Sequence, residues 1–218
     1  YDSGRGAFYA SQDAGEEYYR LPWKDRVQDQ KPSIDRTAYS GWNALAASVL
    51  VKASGALGVP SYLEVASRVL DLLWREAWRP EGGLAHVVGG PFEGSWDQPP
   101  VLDAHVQFLR AWMAIYQATG NPEYLNRAVA IAGCVQSLFG ADDGGYYDTA
   151  DAGSPSAGRL PPDKPVLENA LLAETLMGLA CLTDRDEYSS LAAHALKTFQ
   201  DVVPGSSFIG AKGTRRGE

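Results

Sequence analysis

The chain repeats itself, and that repeat limits its fold more than any single motif. Three stretches share one plan: WNALAASVLVKASGALGVPSYLEVASRVLDLLW from residue 42, DAHVQFLRAWMAIYQATGNPEYLNRAVAIAGCVQSLF from 103, and ENALLAETLMGLACLTDRDEYSSLAAHALKTF from 168. Each reads as a helix, a short break and a second helix. The breaks GVPSY, GNPEY and DRDEY set Gly, Pro or Asp ahead of a tyrosine, residues that stop one helix and start the next. Tyr62, Tyr124 and Tyr188 mark equivalent points, spaced by 62 and 64 residues. Two-helix solenoids repeat every ~33 to 47 residues, so these units carry extra chain between hairpins.

Within a unit the two helices differ. The first, with Val106, Phe108, Leu109, Trp112, Met113, Ile115 and Tyr116, is apolar nearly all round, as a helix covered on most sides must be. The second is one-sided, with Leu125, Ala128, Val129, Ala132, Val135 and Leu138 on one face and Asn126, Arg127 and Gln136 elsewhere. Such alternation implies an inner and an outer ring of helices. The expected fold is therefore all-α: a partial (α/α)6 toroid of about three helical hairpins. Between hairpins, GAFYASQD at 6, GGLAHVVGG at 82 and GGYYDTAD at 144 read as short strands or tight β-hairpin-like loops at one mouth. The boundaries expected are a mouth loop of a preceding hairpin over 1–36, hairpins over 37–79, 80–140 and 141–203, and a tail over 204–218. The whole reads as one domain that is part of a larger ring, its open edges available for self-association.

Composition narrows the partners. With 218 residues, 45% hydrophobic and 21% charged, the chain has the make-up of a globular domain. Its formal net charge of −8 repels phosphate backbones and anionic lipid, so neither nucleic acid nor a membrane is an expected partner, and a neutral or cationic ligand fits better. No apolar run approaches the ~20 residues of a membrane helix. Cys134 and Cys181 lie in helical apolar patterns, which reads as two small core residues without a disulfide in a reducing, cytoplasmic setting. The chain begins at Tyr1, as a processed protein or a piece of a longer one does. No metal site or cofactor is expected: ADDGGYYDTAD lacks calcium-loop spacing, and neither a phosphate-binding glycine loop nor a nucleophile elbow occurs.

The runs GAFYASQDAGEEYY, IDRTAYSGWNAL, LDAHVQFLRAWMAIYQATGNPEYLNRA and GGYYDT resemble the C-terminal region of the spermatogenesis-associated, thioredoxin-domain-fused protein family. That region is similar in turn to the six-hairpin glycosidase and N-acylglucosamine 2-epimerase superfamily. The resemblance runs to about Phe199 and implies a carbohydrate-active toroid. Two departures stand out. No thioredoxin-like domain or cysteine motif lies within these residues, and where the family often has adjacent acids on the second inner helix, Asp103 is followed by Ala104.

The mouth supplies the candidate site. Trp42 with Asn43, Asp103, and Glu168 with Asn169 fall at inner-helix starts, where a positive helix end favours anions or hydroxyl-rich ligands, although acids and amides also stand there simply as caps. Gln12, Asp13, Glu16 and Glu17 follow a strand-like run; Asp13 or Glu16 across a pocket from Asp103 would match the two carboxylates of glycoside hydrolysis. The same letters suit a solvated loop, and Asp35 suits a turn. Sugar 2-epimerisation, as the resemblance implies it, uses paired histidines, for which His105 and His86 are candidates and His194 on an outer helix is not. Trp42, Trp96, Tyr146 and Tyr147 are candidates to stack on a sugar ring. The functional expectation is thus a carbohydrate-binding or carbohydrate-processing domain, glycosidase- or epimerase-like. Its rival is a non-catalytic scaffold or binding module that kept the ring.

Overall fold

The computed structural model describes residues 1–26, 32–88, 99–150 and 163–199. Three helical hairpins form an arc. They are α2 (Ser40–Leu57) with α3 (Pro60–Leu72), α4 (Leu102–Thr119) with α5 (Pro122–Phe139), and α6 (Val166–Thr183) with α7 (Asp186–Lys197); a short α1 (Glu16–Arg20) precedes them. Helices α2, α4 and α6 stand side by side as an inner wall, and α3, α5 and α7 each back their own inner helix. The chain is therefore an arc of an α/α toroid, as the repeat predicts.

The hairpin turns recur in register. Gly58, Gly120 and Asp184 end the inner helices with φ of 66°, 69° and 55°, a left-handed conformation that glycine adopts freely and a short polar side chain tolerates. Asp184 is the only non-glycine residue with positive φ among the described residues. Pro60 and Pro122 then open α3 and α5, where a missing amide costs nothing.

Helix α4, in the middle of the arc, is buried nearly all round. Trp74 stacks on Trp78 at 5.4 Å and meets Trp112 edge-on at 5.8 Å, filling the space between the two rings. At its rim the Arg127 guanidinium lies 4.6 Å from the Trp112 ring centre and 5.0 Å from that of Trp74, while bonding Asp71 at 3.1 Å and Glu123. That contact ties α5 to α3.

The loops are short antiparallel ladders with a repeated plan. β1 (Ser11–Asp13) pairs with β2 (Ser33–Asp35), β3 (Ala38–Tyr39) with β6 (Val87–Val88), and β4 (Trp78–Arg79) with β5 (Gly83–Leu84). Trp78 faces Leu84, and 62 residues on Gly140 faces Tyr146; Tyr39 faces Val87, and 62 residues on Val101 faces Thr149. Ser40 and Leu102 donate their amides to the carbonyls of His86 and Asp148. Each Gly-rich loop thus returns to the N-terminal end of the inner helix of the hairpin it follows.

The two ends of the arc expose faces that its middle covers. Trp42, Leu45 and Val49 on α2 are 61%, 45% and 55% exposed, whereas their counterparts 62 residues on, Ala104, Gln107 and Ala111, are 1%, 8% and 0% exposed. On α6, Val166 and Met177 are exposed, whereas Leu102 and Met113, 64 residues earlier, are buried. Positions that face a neighbouring inner helix in the middle of the arc face water at its edges. Two expectations need correction for that reason. Among the described residues, α6 is long and apolar enough to cross a membrane by length and composition, with mean hydropathy 1.4 over 18 residues; an inner toroid helix, apolar on nearly every side, has that make-up. Cys181, read as a core residue, is exposed on this helix, while Cys134 is buried and its thiol is pushed up to about 11 by desolvation.

Candidate functional site

One polar position on each inner helix organises the mouth. Asn43, His105 and Asn169 are the fourth residues of α2, α4 and α6 and are all buried. Asn43 Oδ1 accepts the Phe8 amide at 2.8 Å, His105 Nε2 accepts the Leu84 amide at 2.8 Å, and Asn169 Oδ1 accepts the Tyr146 amide at 2.7 Å. Each side chain also bonds the carbonyl four residues back: Tyr39 at 3.0 Å, Val101 at 2.8 Å and Pro165 at 2.9 Å. A buried backbone amide needs a partner, and these side chains supply it to all three Gly-aromatic loops. In His105 the bond to Leu84 fixes Nε2 as the acceptor and Nδ1 as the donor. With both ring nitrogens committed and burial holding its pKa down to about 4, His105 stays neutral.

Beside these pins a cluster opens to solvent. The exposed Trp42 ring lies 4.7 Å from Tyr39, which in turn meets His86 at 5.4 Å edge-on. His86 is half-buried, and its buried Nδ1 has no hydrogen-bond partner among the described residues. Gly41 brings α2 and α4 together here. A Cβ at that position would stand 3.1 Å from Ala104 Cα and 3.4 Å from Asp103 Oδ2, so the Asp103 carboxylate sits against the first turn of α2. Gln107 donates to Asp103 Oδ1 at 3.2 Å, and its own buried Oε1 has no partner among the described residues. Glu168 is half-buried in the first turn of α6, at the register of Trp42 and Ala104.

Below the mouth the inner wall is polar. Asp103, Gln107, Arg110 and Gln117 run down α4 at helical spacing, an interrupted stripe on an otherwise apolar helix. Ser48, Arg110 and Glu174 occupy one repeat position on three successive inner helices, and with Lys52, Gln117 and Thr175 they border a cavity of about 160 Å³. Arg110 and Glu174 approach to 3.7 Å.

The other predicted residues lie elsewhere. Asp13 accepts from the Tyr19 hydroxyl at 2.7 Å and the Ala14 amide at 2.9 Å, which hold its carboxyl below the ordinary value. Gln12 donates to the Pro32 carbonyl at 3.1 Å, and Glu16 pairs with Arg20 at 2.7 Å one helical turn away. Asp13 and Glu17 border a groove whose lining residues all fall between Asp13 and Ser33, so no inner helix contributes to it. Asp35 accepts the Thr37 amide in a turn. Tyr146 is buried with its hydroxyl on Gln136 at 2.6 Å and its pKa pushed up to about 12 by burial; Tyr147 lies under the Lys164 ammonium at 5.0 Å. His194 packs edge-on against Tyr146. Trp96 lies outside the described residues. The register-mate of Asn43 and Asn169 is thus His105, and Asp103 stands two positions earlier. The sequence reasoning passed over Tyr39, Gln107, Arg110, Lys52 and Glu174, although polar residues at helical spacing on a helix apolar on every other side are a legible sign of a lumen.

Residues 7–148 match the N-acylglucosamine 2-epimerase (GlcNAc 2-epimerase) family. An uncharacterised protein of Caenorhabditis elegans is 23% identical over 185 residues, which is 81% of this chain and 25% of that protein. Among solved structures, cellobiose 2-epimerase from Bacillus thermoamylovorans superposes with a TM-score of 0.69 at 15% identity, over 91% of this chain and 50% of the enzyme. Its counterpart from Spirochaeta thermophila gives 0.69 at 19%, over 91% and 48%. A family 76 α-mannanase of Bacteroides thetaiotaomicron gives 0.63 at 17%, over 79% and 48%. The chain spans a quarter of the worm relative and about half of these toroids. At these identities the likeness to the solved structures is one of fold.

Proposed function

The chain belongs to the N-acylglucosamine 2-epimerase family, and from that premise we propose that its mouth binds a sugar and moves a proton at the carbon beside the sugar's carbonyl. The observation that carries this reading is the half-buried His86 imidazole 5.4 Å from the Tyr39 ring at the start of α2, with the Asp103 carboxylate of α4 against Gly41 in the first turn of the same helix. The Tyr39 phenol beside the imidazole offers a face for the apolar side of a pyranose, and a carboxylate accepts hydrogen bonds from sugar hydroxyls. His86 is the proton carrier. In 2-epimerisation a base takes the C2 proton of the open-chain aldose, electrons move onto the carbonyl oxygen to give an enediolate, and a proton returns to the opposite face. The described residues offer one imidazole for this; the second proton carrier belongs to hairpins that complete the ring.

Those hairpins belong to a longer, cytoplasmic chain resembling the spermatogenesis-associated, thioredoxin-domain-fused family. Support comes from the worm relative, of which this chain spans a quarter, and from the toroids, of which it spans half. Isolated, the 218 residues associate through the uncovered faces of α2 and α6.

Deuterium wash-in at C2, followed by proton NMR in heavy water, tests the chemistry. N-acetylglucosamine, N-acetylmannosamine, glucose and cellobiose are the sugars to offer, both to the ring-completing chain and to the 218 residues. Exchange that disappears in His86→Gln, and binding that weakens in Tyr39→Ala, are expected. If none of these sugars binds the complete ring, the sugar reading falls.

A further inference from the structure

We infer that the layer of the lumen formed by Arg110 and Lys52 is an anion subsite, which takes the carboxylate or phosphate of a charged sugar whose ring lies at the mouth. Only the sugar part of this rests on the proposed function; the subsite rests on the lumen. Ser48, Arg110 and Glu174 share one repeat position on α2, α4 and α6, and Lys52 adds a second cation one turn further along α2, so two cations face one carboxylate around the cavity of about 160 Å³. The pairing is incomplete. Arg110 reaches Glu174 only at 3.7 Å, with 26% of the Arg110 side chain exposed and 71% of the Glu174 side chain exposed, and Lys52 has no partner among the described residues.

That local excess runs against the −8 of the whole chain. A chain so acidic gains nothing in solubility from two cations facing its own lumen, but a concave wall in which Arg110 is half-buried, with the exposed Lys52 at its edge, strengthens the attraction for an anion. Arginine's planar fork matches carboxylate and phosphate oxygens alike, and lysine supplies a point charge. The distance is suitable: Arg110 stands seven residues beyond Asp103 on α4, about 10 Å at 1.5 Å per residue, a span of one to two sugar units.

Calorimetric titration of the 218-residue chain with glucose, glucuronate, glucose 6-phosphate and inorganic phosphate, at low and high salt, tests the subsite. The charged sugars are expected to bind roughly tenfold tighter than glucose, an advantage that salt erodes. Lys52→Gln and Arg110→Gln should each remove most of that advantage and leave glucose affinity unchanged. Glu174→Gln should do the opposite, tightening anion binding several-fold, a gain that no folding defect imitates. Preference between glucuronate and glucose 6-phosphate identifies carboxylate or phosphate as the source. Glucose binding as tightly as both charged sugars overturns the subsite and leaves the mouth reading intact. Binding of inorganic phosphate that Arg110→Gln abolishes, with no sugar bound, upholds the subsite and leaves the sugar reading to the complete ring.

Discussion

The Leu84 amide donates to His105 Nε2 at 2.8 Å in the register where the Phe8 and Tyr146 amides donate to Asn43 and Asn169. An imidazole and two carboxamides therefore do one job, holding a Gly-aromatic loop against the first turn of an inner helix. His105→Asn should keep the loop bonded and the fold within about 1 kcal/mol of the parent, whereas His105→Ala leaves a buried amide unpaired beside a cavity and should cost about 2–4 kcal/mol. Urea denaturation measures both. Equal losses in the two variants would show that the shared register carries no shared role.

The same imidazole sets a pH dependence. The unfolded chain takes up a proton near pH 6.5, but the buried His105 refuses it until about pH 4. Stability is therefore flat above pH 6.5 with respect to this group, and it falls as pH drops through that window, by about 3 kcal/mol in all. His105→Asn should lack this component. Chemical denaturation of both proteins at pH values from about 7 down to about 4 reads the difference.

Gly83 should prove one of the least replaceable glycines. Its φ is +75°, and a Cβ there would stand 2.5 Å from His105 Nε2 and 2.9 Å from Leu138 Cδ1. Gly83→Ala adds the left-handed strain of about 1–2 kcal/mol to that clash and pushes the Leu84 amide off the imidazole. A fall in melting temperature larger than that of Gly120→Ala is expected, since nothing stands within 4 Å of a Cβ at Gly120 although its φ of +69° is similar.

The hairpins were legible in the sequence because periodicity and stop residues are local signals. Gly58, Gly120 and Asp184 end helices whatever surrounds them. The pins were not so legible. Asn43 and Asn169 at helix starts look like ligand-facing polar groups, and only the loop amides 35 and 23 residues away show where they point. Asp13 and Glu16 attracted attention by their number, yet their partners Tyr19 and Arg20 are only six and four residues distant, which keeps them within their own loop. Arg110 and Lys52 are not legible as lumen residues in the sequence, because a charge on a helix reads by default as solvent-facing, and the lumen exists only once three helices are placed side by side.

Arg127 joins the outer helices through rings and carboxylates at once, lying over Trp112 and Trp74 while bonding Asp71. With only 16% of its side chain exposed, it is screened less than a surface ion pair. Arg127→Lys keeps the charge but loses the planar stacking and the fork, so it should retain little of the contact, and both it and Arg127→Ala should lower stability by about 1–3 kcal/mol. Guanidinium melts of the two variants, compared with the parent, check the ordering; a lysine variant as stable as the parent would reduce the contact to simple charge.

Trp42, Leu45 and Val49 are exposed on α2 where Ala104, Gln107 and Ala111 are covered on α4, so the α2 face should behave as an unfilled inter-helix surface. Each apolar side chain buried there returns about 1.5–3 kcal/mol, enough for a few of them to drive association at micromolar concentration. Sedimentation equilibrium of the 218-residue chain should show a mean mass that rises with concentration. Leu45→Glu with Val49→Glu puts two like charges into the face without touching the buried side of α2, and should hold the protein monomeric with an unchanged circular dichroism spectrum. A monomer at every concentration in the parent would mean that the face is too poorly matched to any copy of itself, and that closure needs the hairpins of a longer chain.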